Sequence, residues 1–357
     1  MKIMTQKIDI LSLSLTELGD FFESELGEAR YRAKQVFPLL HRGMALEELT
    51  NLSKPLRAKL AEKCEYRMPT VERKLISAID GTVKYLFRLI DGNCIESVVM
   101  KYKHGNTVCI SSQVGCRMGC RFCASTIGGK LRDLTPSELL GQVIAAEKDM
   151  GERISNIVMM GIGEPLDNFD NVVRFLELVG REEGINIGYR HISLSTCGVV
   201  DKIYKLAEMN LPITLSISLH APNDQTRSAI MPINNKWGVD ALLRACKDYY
   251  AVTKRRISFE YTLIAGKNDS AEQARELATV LNRALRTREE TMPIHVNLIP
   301  VNEVKETGFH SSGEAAVKAF AAILEGKGIR ATVRRTLGPD ISASCGQLRR
   351  EAAKTDK

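Results

Sequence analysis

The stretch Cys116-Arg-Met-Gly-Cys120-Arg-Phe-Cys123 places three cysteines in one short loop. With 9 cysteines in 357 residues, fewer than about 0.01 such spacings are expected by chance in this chain. Zinc sites and self-sufficient iron–sulfur sites usually take four protein ligands. Three thiolates in a tight loop therefore suggest a cubane cluster with one iron left open to an exogenous ligand. A zinc knuckle with a distant fourth ligand and ordinary loop thiols are the alternatives.

The composition, with 44% hydrophobic and 26% charged residues, is that of a globular protein. The length predicts two domains, or one large α/β domain with an appendage. No apolar run approaches the roughly 18 residues of a membrane span, and the N-terminal sequence MKIMTQKIDI lacks a signal-peptide core. The odd number of cysteines, without a disulfide-framework spacing, fits a reducing compartment. We expect a cytoplasmic monomer that does not bind membranes.

The net charge of +7 is unevenly distributed. The segment Gly326–Lys357 carries eight Lys/Arg against three acidic residues. The segment Lys101–Ser125 contains no acidic residue, and its basic residues are Lys101, Lys103, Arg117 and Arg121. Such basic segments suggest that a polyanion, with RNA as the obvious candidate, binds near the cysteine loop. Solvated basic faces are the alternative.

From Thr107 onward, buried strand patterns alternate with helical patterns. The predicted strands are Thr107–Ser111, Asn156–Met160, His191–Ser195, Ile213–Leu219, Ile257–Leu263 and Ile294–Ile299. The predicted helices begin at Thr135-Pro136-Ser137-Glu138 and then cover about Asn171–Val179, Lys202–Glu208, Val239–Tyr250, Ala271–Leu285 and Gly313–Glu325. Near-continuous aliphatic strands are typical of parallel sheets. We predict an α/β fold, an open partial (β/α)6 barrel with its chemistry at the C-terminal strand ends.

The first 95 residues have a different pattern. Amphipathic helices are predicted over Thr16–Leu26, Ala29–Leu40 and Pro55–Lys63, followed by a β-hairpin over 74–89 with Asp80-Gly81 at its turn. We therefore predict a small, mainly helical accessory domain (1–95), a core (96–349) and a polar tail (350–357). Two roles are open for the accessory domain: a structural cap and a module that docks the substrate.

Polar residues and glycines follow several predicted strands. Gly161-Ile-Gly-Glu164-Pro165 follows the second strand, where glycines permit close backbone approach and a carboxylate can bind the amino group of a metabolite. The other candidates on this rim are Ser195, Thr196, Ser218, His220 and Asn297. Each alone is more typical of a satisfied buried polar residue. Their common location favours one small-molecule site.

Three further residues are candidates for chemistry. Cys109 lies on the first predicted strand, Cys345 lies beyond the last strand, and Glu96 lies in Cys94-Ile-Glu-Ser97. Alone, each cysteine is more typical of a core thiol, and Glu96 of a surface strand residue.

Several ordered sequence runs make the chain resemble a known family. They are Ile95-Glu-Ser-Val-Val, Ser111-Ser-Gln-Val-Gly-Cys116, Cys123-Ala-Ser-Thr, Met160-Gly-Ile-Gly-Glu-Pro165, Ser218-Leu-His-Ala-Pro-Asn-Asp224, Met231-Pro-Ile-Asn234, His295-Val-Asn-Leu-Ile-Pro-Val-Asn302 and Cys345-Gly-Gln-Leu348. Together they resemble the radical S-adenosylmethionine (SAM) adenine-C2 methyltransferases of ribosomal and transfer RNA. Two departures are visible: Cys197 replaces a small hydroxyl residue, and Ile341-Ser-Ala-Ser344 replaces an Ala-rich, Asp-containing stretch.

The resemblance implies two cofactors. Cys116, Cys120 and Cys123 would hold a [4Fe–4S] cluster. The residues that would hold SAM are Gly163, Glu164, Pro165, Ser195, Ser218, Leu219, His220 and Asn297.

The resemblance also implies substrates and a mechanism. The family methylates C2 of adenine 2503 in 23S rRNA and of adenine 37 in certain tRNAs. Cys345 would carry the methyl group, Glu96 would remove the C2 proton, and Cys109 would release the product by forming a transient disulfide with Cys345. An electron donor and a disulfide reductant are then required partners. Adenine-C8 methylation of the same rRNA nucleotide and a non-catalytic zinc-stabilised RNA-binding protein are the alternatives, and the sequence runs favour C2.

Overall fold

A computed structural model describes residues 7–286, 291–302, 306–341, 343 and 348. The strands of this part are β1 (Ile8–Asp9), β2 (Cys64–Glu65), β3 (Thr70–Ile76), β4 (Val83–Arg88), β5 (Cys94–Tyr102), β6 (Gly105–Cys109), β7 (Gln113–Gly115), β8 (Lys130–Asp133), β9 (Ile154–Met159), β10 (Ile192–Thr196), β11 (Thr214–Ser218), β12 (Ile257–Leu263), β13 (His295–Pro300) and β14 (Arg330–Val333). The helices are α1 (Leu15–Leu26), α2 (Arg32–Leu40), α3 (Lys54–Lys63), α4 (Pro136–Met150), α5 (Phe169–Val179), α6 (Val200–Glu208), α7 (Asp224–Ile230), α8 (Val239–Thr253), α9 (Ala271–Leu285) and α10 (Glu314–Gly326).

Among the described residues, ten strands form one sheet in the order β14-β13-β12-β11-β10-β9-β6-β5-β4-β3. Along this order, each pair of neighbours from β6 through β9, β10, β11, β12 and β13 to β14 is parallel, and helices connect these strands. Strand β12 is buried at every residue, as expected for a sheet covered on both faces. Because β14 and β3 lie at opposite ends of this order, the barrel is open. The predicted partial (β/α)6 barrel is confirmed, and β14 adds a parallel strand that the sequence analysis missed.

The predicted hairpin is present, but its place in the fold was not anticipated. Strands β3 and β4 pair antiparallel, β4 pairs with β5, and β5 pairs with β6. The hairpin therefore extends the core sheet, although it was predicted within the accessory segment. Helices α1 to α3, with the short β1–β2 pair, form the preceding part of the chain. The domain division at residue 95 stays a prediction.

Helix α4 begins where its sequence signal predicted. The Thr135 hydroxyl accepts the Glu138 N–H, and the Glu138 carboxylate accepts the Thr135 N–H, which forms a capping box ahead of Pro136. The Ser137 hydroxyl also donates to the Asp9 carboxylate at 2.6 Å. This contact joins the N-terminal segment to the first core helix. Within the described ranges, none of the helices has the length and apolarity to cross a membrane.

Candidate active site

The cysteine loop is closed at its base by the pairing of β7 with β8. Gly115 has a φ of 82°, and a Cβ there would lie 2.0 Å from the Gly129 carbonyl oxygen. Only glycine fits this position, because both the backbone conformation and the close approach exclude a side chain. The Cys116 N–H donates to the same Gly129 oxygen at 3.1 Å. The three cysteines are thus presented on a loop with a fixed base.

The Gly161–Pro165 turn packs against the segment that leads from β6 into this loop. The N–H groups of Ser112 and Gln113 donate to the Ile162 carbonyl oxygen at 2.8 and 3.1 Å. A Cβ on Gly163, which has a φ of 108°, would lie 2.7 Å from the Gln113 backbone nitrogen. The glycines therefore allow the predicted cofactor turn to sit directly beside the cysteine loop.

The predicted cluster and SAM residues meet in one cavity of about 210 Å³. Those that line it are Cys116, Cys120, Cys123, Gly163, Glu164, Pro165, Ser195, Ser218 and His220. They come from the cysteine loop and from the C-terminal ends of successive parallel strands, as the barrel topology requires. Leu219 and Asn297 lie beside this cavity without lining it. The Leu219 N–H donates to the Glu260 carbonyl oxygen, and the Asn297 amide donates to the Glu260 carboxylate at 2.7 Å.

Glu164 is fully buried and joins two strand ends. Its carboxylate accepts the N–H of Cys197 at 2.7 Å and the N–H of Leu166 at 3.0 Å. Burial raises the pKa of Glu164, and hydrogen bonds from the backbone N–H and thiol of Cys197 oppose that rise. Glu164 thus holds the turn after β9 against the end of β10.

His220 is held as a neutral ring. Burial lowers its pKa to about 3, and Arg227 adds to this effect. Its Nδ1 accepts the Thr262 N–H at 2.9 Å, which leaves the proton on Nε2. Phe122 of the cysteine loop packs edge-on against the ring, with centroids 5.1 Å apart. His220 thus offers a packing surface and a hydrogen-bond donor.

Sequence reasoning missed Glu260, which also lines this cavity. It lies on β12 and accepts hydrogen bonds from the Asn297 amide and the Ser258 hydroxyl. Burial raises its pKa. The available signal was a single acidic residue within the apolar strand sequence ISFEYTL.

A second, larger cavity of about 540 Å³ adjoins the first. Phe122, Cys123 and Met160 line both. Cys109, which is buried on β6, lines the larger cavity together with Val98 and Met100 of β5. A thiol outside the cysteine loop therefore faces the same continuous space as the loop. The larger cavity also has basic residues at its wall, Arg334 and Arg335.

Glu96 is buried on β5 rather than exposed. Its carboxylate pairs with the Lys84 ammonium at 3.2 Å, and both side chains are at most 1% exposed. Because side chains alternate along a strand, Glu96 lies on the same face of β5 as Val98 and Met100, which line the larger cavity. It is not itself among the residues that line either cavity. Cys345 and the tail 350–357 lie outside the described residues.

The basic surface of the cysteine loop differs from the sequence expectation at Arg117. Its Nε donates to the Asp167 carboxylate at 3.0 Å, and Lys130 contacts the same carboxylate at 3.0 Å. The loop has no acidic residue of its own, but the fold brings Asp167 to it from the turn before α5. Arg121 is exposed.

The donor set of the smaller cavity fits the two predicted cofactors. Burial raises the pKa of the Cys116 thiol to about 12 and also raises that of Cys120. A bound cation would displace these protons, since thiolates are the ligands. In the described part of the chain, no three His, Cys, Asp or Glu side chains converge on a single metal ion. A cubane does not need such convergence, because each thiolate binds a different iron.

Comparisons with known proteins agree along the whole chain. The family model described as Radical SAM superfamily matches residues 110–278, and that described as Ribosomal RNA large subunit methyltransferase N-terminal domain matches residues 8–66. The chain is 51% identical to a relative from Clostridium botulinum (strain Eklund 17B / Type B) over 98% of both chains. It is 51% identical to one from Alkaliphilus metalliredigens (strain QYMF) over 97% of this chain and 96% of the relative. Both relatives are named "Probable dual-specificity RNA methyltransferase RlmN".

A solved structure shows the same fold. The crystal structure of a radical SAM methyltransferase from Sphaerobacter thermophilus superposes with a TM-score of 0.88 and 41% sequence identity, and the match covers 95% of this chain and 98% of that one. Sequence identity at this level over nearly the full length, together with the shared arrangement of strands, shows the family. The chain belongs to the RlmN family and is a SAM-dependent RNA methyltransferase of the radical SAM superfamily.

Proposed function

We propose that the enzyme methylates C2 of adenine 2503 in 23S rRNA and C2 of adenine 37 in tRNAs, with Cys345 as the methyl carrier. The observation that carries this proposal is Cys109, a buried thiol outside the cysteine loop that lines the same cavity as Cys123. A radical SAM site needs only the loop cysteines for its cluster. A mechanism with a covalent carrier also requires a second thiol in the cavity, which releases the product from the carrier.

The chemistry of the target explains why a carrier is needed. C2 of adenine is an electron-poor aromatic carbon, so it does not attack the sulfonium of SAM directly. When bound, the cluster and a second SAM supply the single electron and the 5′-deoxyadenosyl radical that the reaction requires. Cys116, Cys120 and Cys123 would hold the cluster. The proposed SAM residues are Gly163, Glu164, Pro165, Ser195, Ser218, Leu219, His220 and Asn297.

The protein's own groups then carry the methyl unit. The Cys345 thiol accepts a methyl group from a first SAM as the S–CH3 bond of that SAM breaks and the thiol proton leaves. The 5′-deoxyadenosyl radical would take a hydrogen atom from this S-methyl group, which leaves a methylene radical on Cys345 that forms a C–C bond to C2. Glu96 accepts the C2 proton. Glu96 pairs with Lys84 and lies on the strand face shared with the larger cavity.

Release completes the balance of atoms and electrons. The Cys109 thiolate forms an S–S bond to Cys345 as the bond from Cys345 sulfur to the methylene carbon breaks. That carbon takes up a proton and becomes the methyl group of the product. One electron would return to the cluster, which matches the electron that the cluster supplies at the start. A dithiol reductant then restores both cysteines with two electrons and two protons.

The RNA must present an unstacked adenine to this cavity. A base within a helix cannot reach a buried reaction centre, so the target is flipped or lies in an unpaired loop. Arg334 and Arg335 at the cavity wall support binding of the neighbouring phosphates. We assign the accessory segment 1–95 to RNA docking on the same proposal.

Two measurements test the proposed function. Mass spectrometry of nucleosides from treated 23S rRNA and tRNA should show 2-methyladenosine, whereas 8-methyladenosine would overturn the C2 assignment. Cys109→Ala should leave the protein covalently linked to RNA, because no thiol displaces Cys345 from the adduct. This product appears as a nuclease-sensitive band on a denaturing gel. Normal turnover of Cys109→Ala would refute the releasing role, and Cys64→Ala, at a buried thiol outside both cavities, is the matched control.

A further inference from the structure

Arg227 is a fully buried arginine between the SAM-binding strand ends and the cysteine loop. Its side chain lies on α7 and is 0% exposed. The guanidinium donates to the backbone carbonyl oxygens of Cys197 at 2.7 Å, Ser218 at 3.1 Å and Leu219 at 3.0 Å. It also donates to the side-chain oxygen of Asn234 at 3.0 Å. One side chain thus holds the ends of β10 and β11, where the proposed SAM residues lie.

The helix that carries Arg227 also contacts the cysteine loop. The Ile230 carbonyl oxygen, at the end of α7, accepts the Arg121 N–H at 2.9 Å. Just beyond α7, Pro232 lies 3.4 Å from the position that a Cβ on Gly119 would occupy. The cysteine loop therefore packs against the C-terminal end of α7. Arg227, in the middle of the same helix, binds the ends of β10 and β11.

Among the described residues, no carboxylate accepts a hydrogen bond from Arg227, although Asp224 on the same helix is close enough to favour its charged form. The acceptors of its hydrogen bonds are carbonyl and amide oxygens, all of them neutral. Burial lowers the pKa of Arg227, and the nearby thiols of Cys197 and Cys120 oppose this. An arginine stays protonated even in such a site. Arg227 binds the carbonyl oxygen of Cys197, which lines the same cavity as Cys120, and the cysteine loop packs against the end of α7, so a fixed positive charge lies near the loop.

We propose that Arg227 is a positioning residue that fixes the SAM-binding strand ends and, through its charge near the cysteine loop, favours the reduced state of the cluster. Reduction adds one negative charge to a buried site, and a nearby cation stabilises the more negative state more strongly. The proposal rests on the cluster assignment made above. It does not depend on which adenine carbon is methylated.

Redox titration of the cluster-loaded enzyme, followed by electron paramagnetic resonance, tests this role. Arg227→Lys keeps a cation and Arg227→Gln keeps only a neutral donor. At a fixed potential, the ratio of reduced to oxidised cluster should fall about tenfold in Arg227→Gln, which is 59 mV for a one-electron couple. In Arg227→Lys it should stay within about threefold of the wild type. SAM affinity, measured by equilibrium dialysis, should fall in both variants because carbonyl contacts are lost.

Asn234→Ala is the structural control, because it removes an Arg227 partner without changing the charge. An equal loss of reduced cluster in Asn234→Ala and Arg227→Gln would overturn the electrostatic role, as would an unchanged ratio in Arg227→Gln. If Arg227→Gln takes up no iron, the redox titration of Arg227→Lys tests the proposal alone. A ratio near that of the wild type with weakened SAM binding supports the proposal, and a tenfold fall despite the retained charge refutes it. A wild-type protein without a reducible cluster would instead refute the cofactor assignment.

Discussion

Asp340 binds Ser77 in the turn of the β3–β4 hairpin, 263 residues earlier in the chain. Its carboxylate accepts the Ser77 hydroxyl at 2.7 Å and the Ala78 N–H at 2.9 Å. In the opposite direction, the Asp80 carboxylate accepts the Gly338 N–H at 2.8 Å. These reciprocal bonds hold the segment that precedes Cys345 against the sheet extension. The hairpin therefore helps to hold Leu337, Gly338 and Pro339 at the wall of the larger cavity.

We expect Asp340→Ala to loosen that segment. Amide hydrogen exchange of residues 334–341 should become faster, while exchange in the core strands stays unchanged, because the lost bonds are local. Methyl transfer to RNA should slow several-fold, since Cys345, the proposed methyl carrier, follows shortly after Asp340 in the sequence. Asp170→Ala, at an exposed carboxylate on α5, is the control. Unchanged exchange in Asp340→Ala would show that the segment is held by other contacts.

Glu164→Gln should weaken SAM binding and lower the free energy of unfolding. Both carboxylate oxygens accept backbone N–H groups, and a glutamine would turn an amide donor toward one of them. Leaving that buried donor unsatisfied costs about 1–3 kcal/mol. Equilibrium dialysis with SAM and denaturant unfolding measure the two effects. A variant with wild-type values in both would refute the joining role of Glu164, and Glu177→Gln on α5 is an exposed control.

Arg121→Ala should weaken RNA binding more than Arg117→Ala does. Arg121 is exposed, whereas the charge of Arg117 is already balanced by Asp167. Each lost phosphate contact should lower the slope of log affinity against log salt by about 0.7–0.9. Filter binding at several salt concentrations gives these slopes. Lys318→Ala on α10 is the control, and equal slopes for Arg121→Ala and the wild type would show that Arg121 is merely solvated.

The sequence predicted those features that are coded locally. Apolar runs and turn signals identified the core strands, and the cysteine spacing and the glycine turn identified the loop and its neighbour. The features that it missed depend on contacts between distant segments. Asp167 reaches Arg117 only through the fold. Glu260 is a functional candidate because strand ends converge around it, and in the sequence it is simply one acidic residue in an apolar strand.

The burial of Arg227 could not be predicted from the sequence either. Its position within a short helix suggests an ordinary surface arginine, because seven residues give no strong amphipathic pattern. Its burial depends on carbonyl oxygens from the ends of β10 and β11, which lie in two other turns. The β14 sequence Arg-Ala-Thr-Val was missed for a related reason, since four residues with a charged start give little strand signal.

The stability of the protein should fall as the pH falls from about 6.5 to about 4, and His41 should contribute to this loss. Burial lowers the pKa of His41 to about 4, from an ordinary value of 6.5. In this window the unfolded chain binds a proton at this position that the folded protein does not, so acid favours unfolding. The contribution is at most about 1.4 kcal/mol per pH unit. His220 and His295, whose pKa values are lowered to about 3 and about 4, act in the same direction.

His41→Phe isolates this contribution, because it keeps a ring against Phe37, whose centroid lies 4.0 Å from that of His41. Urea unfolding at a series of pH values should give a shallower fall in the free energy of unfolding between pH 6.5 and 4 for the variant. Between pH 7.5 and 8.5 the two proteins should show parallel curves, since the imidazole is neutral in both the folded and unfolded states there. The comparison uses slopes, so a uniform change in stability caused by the new ring does not affect it. Identical slopes in the acid window would mean that His41 takes up its proton in the folded protein as readily as in the unfolded chain.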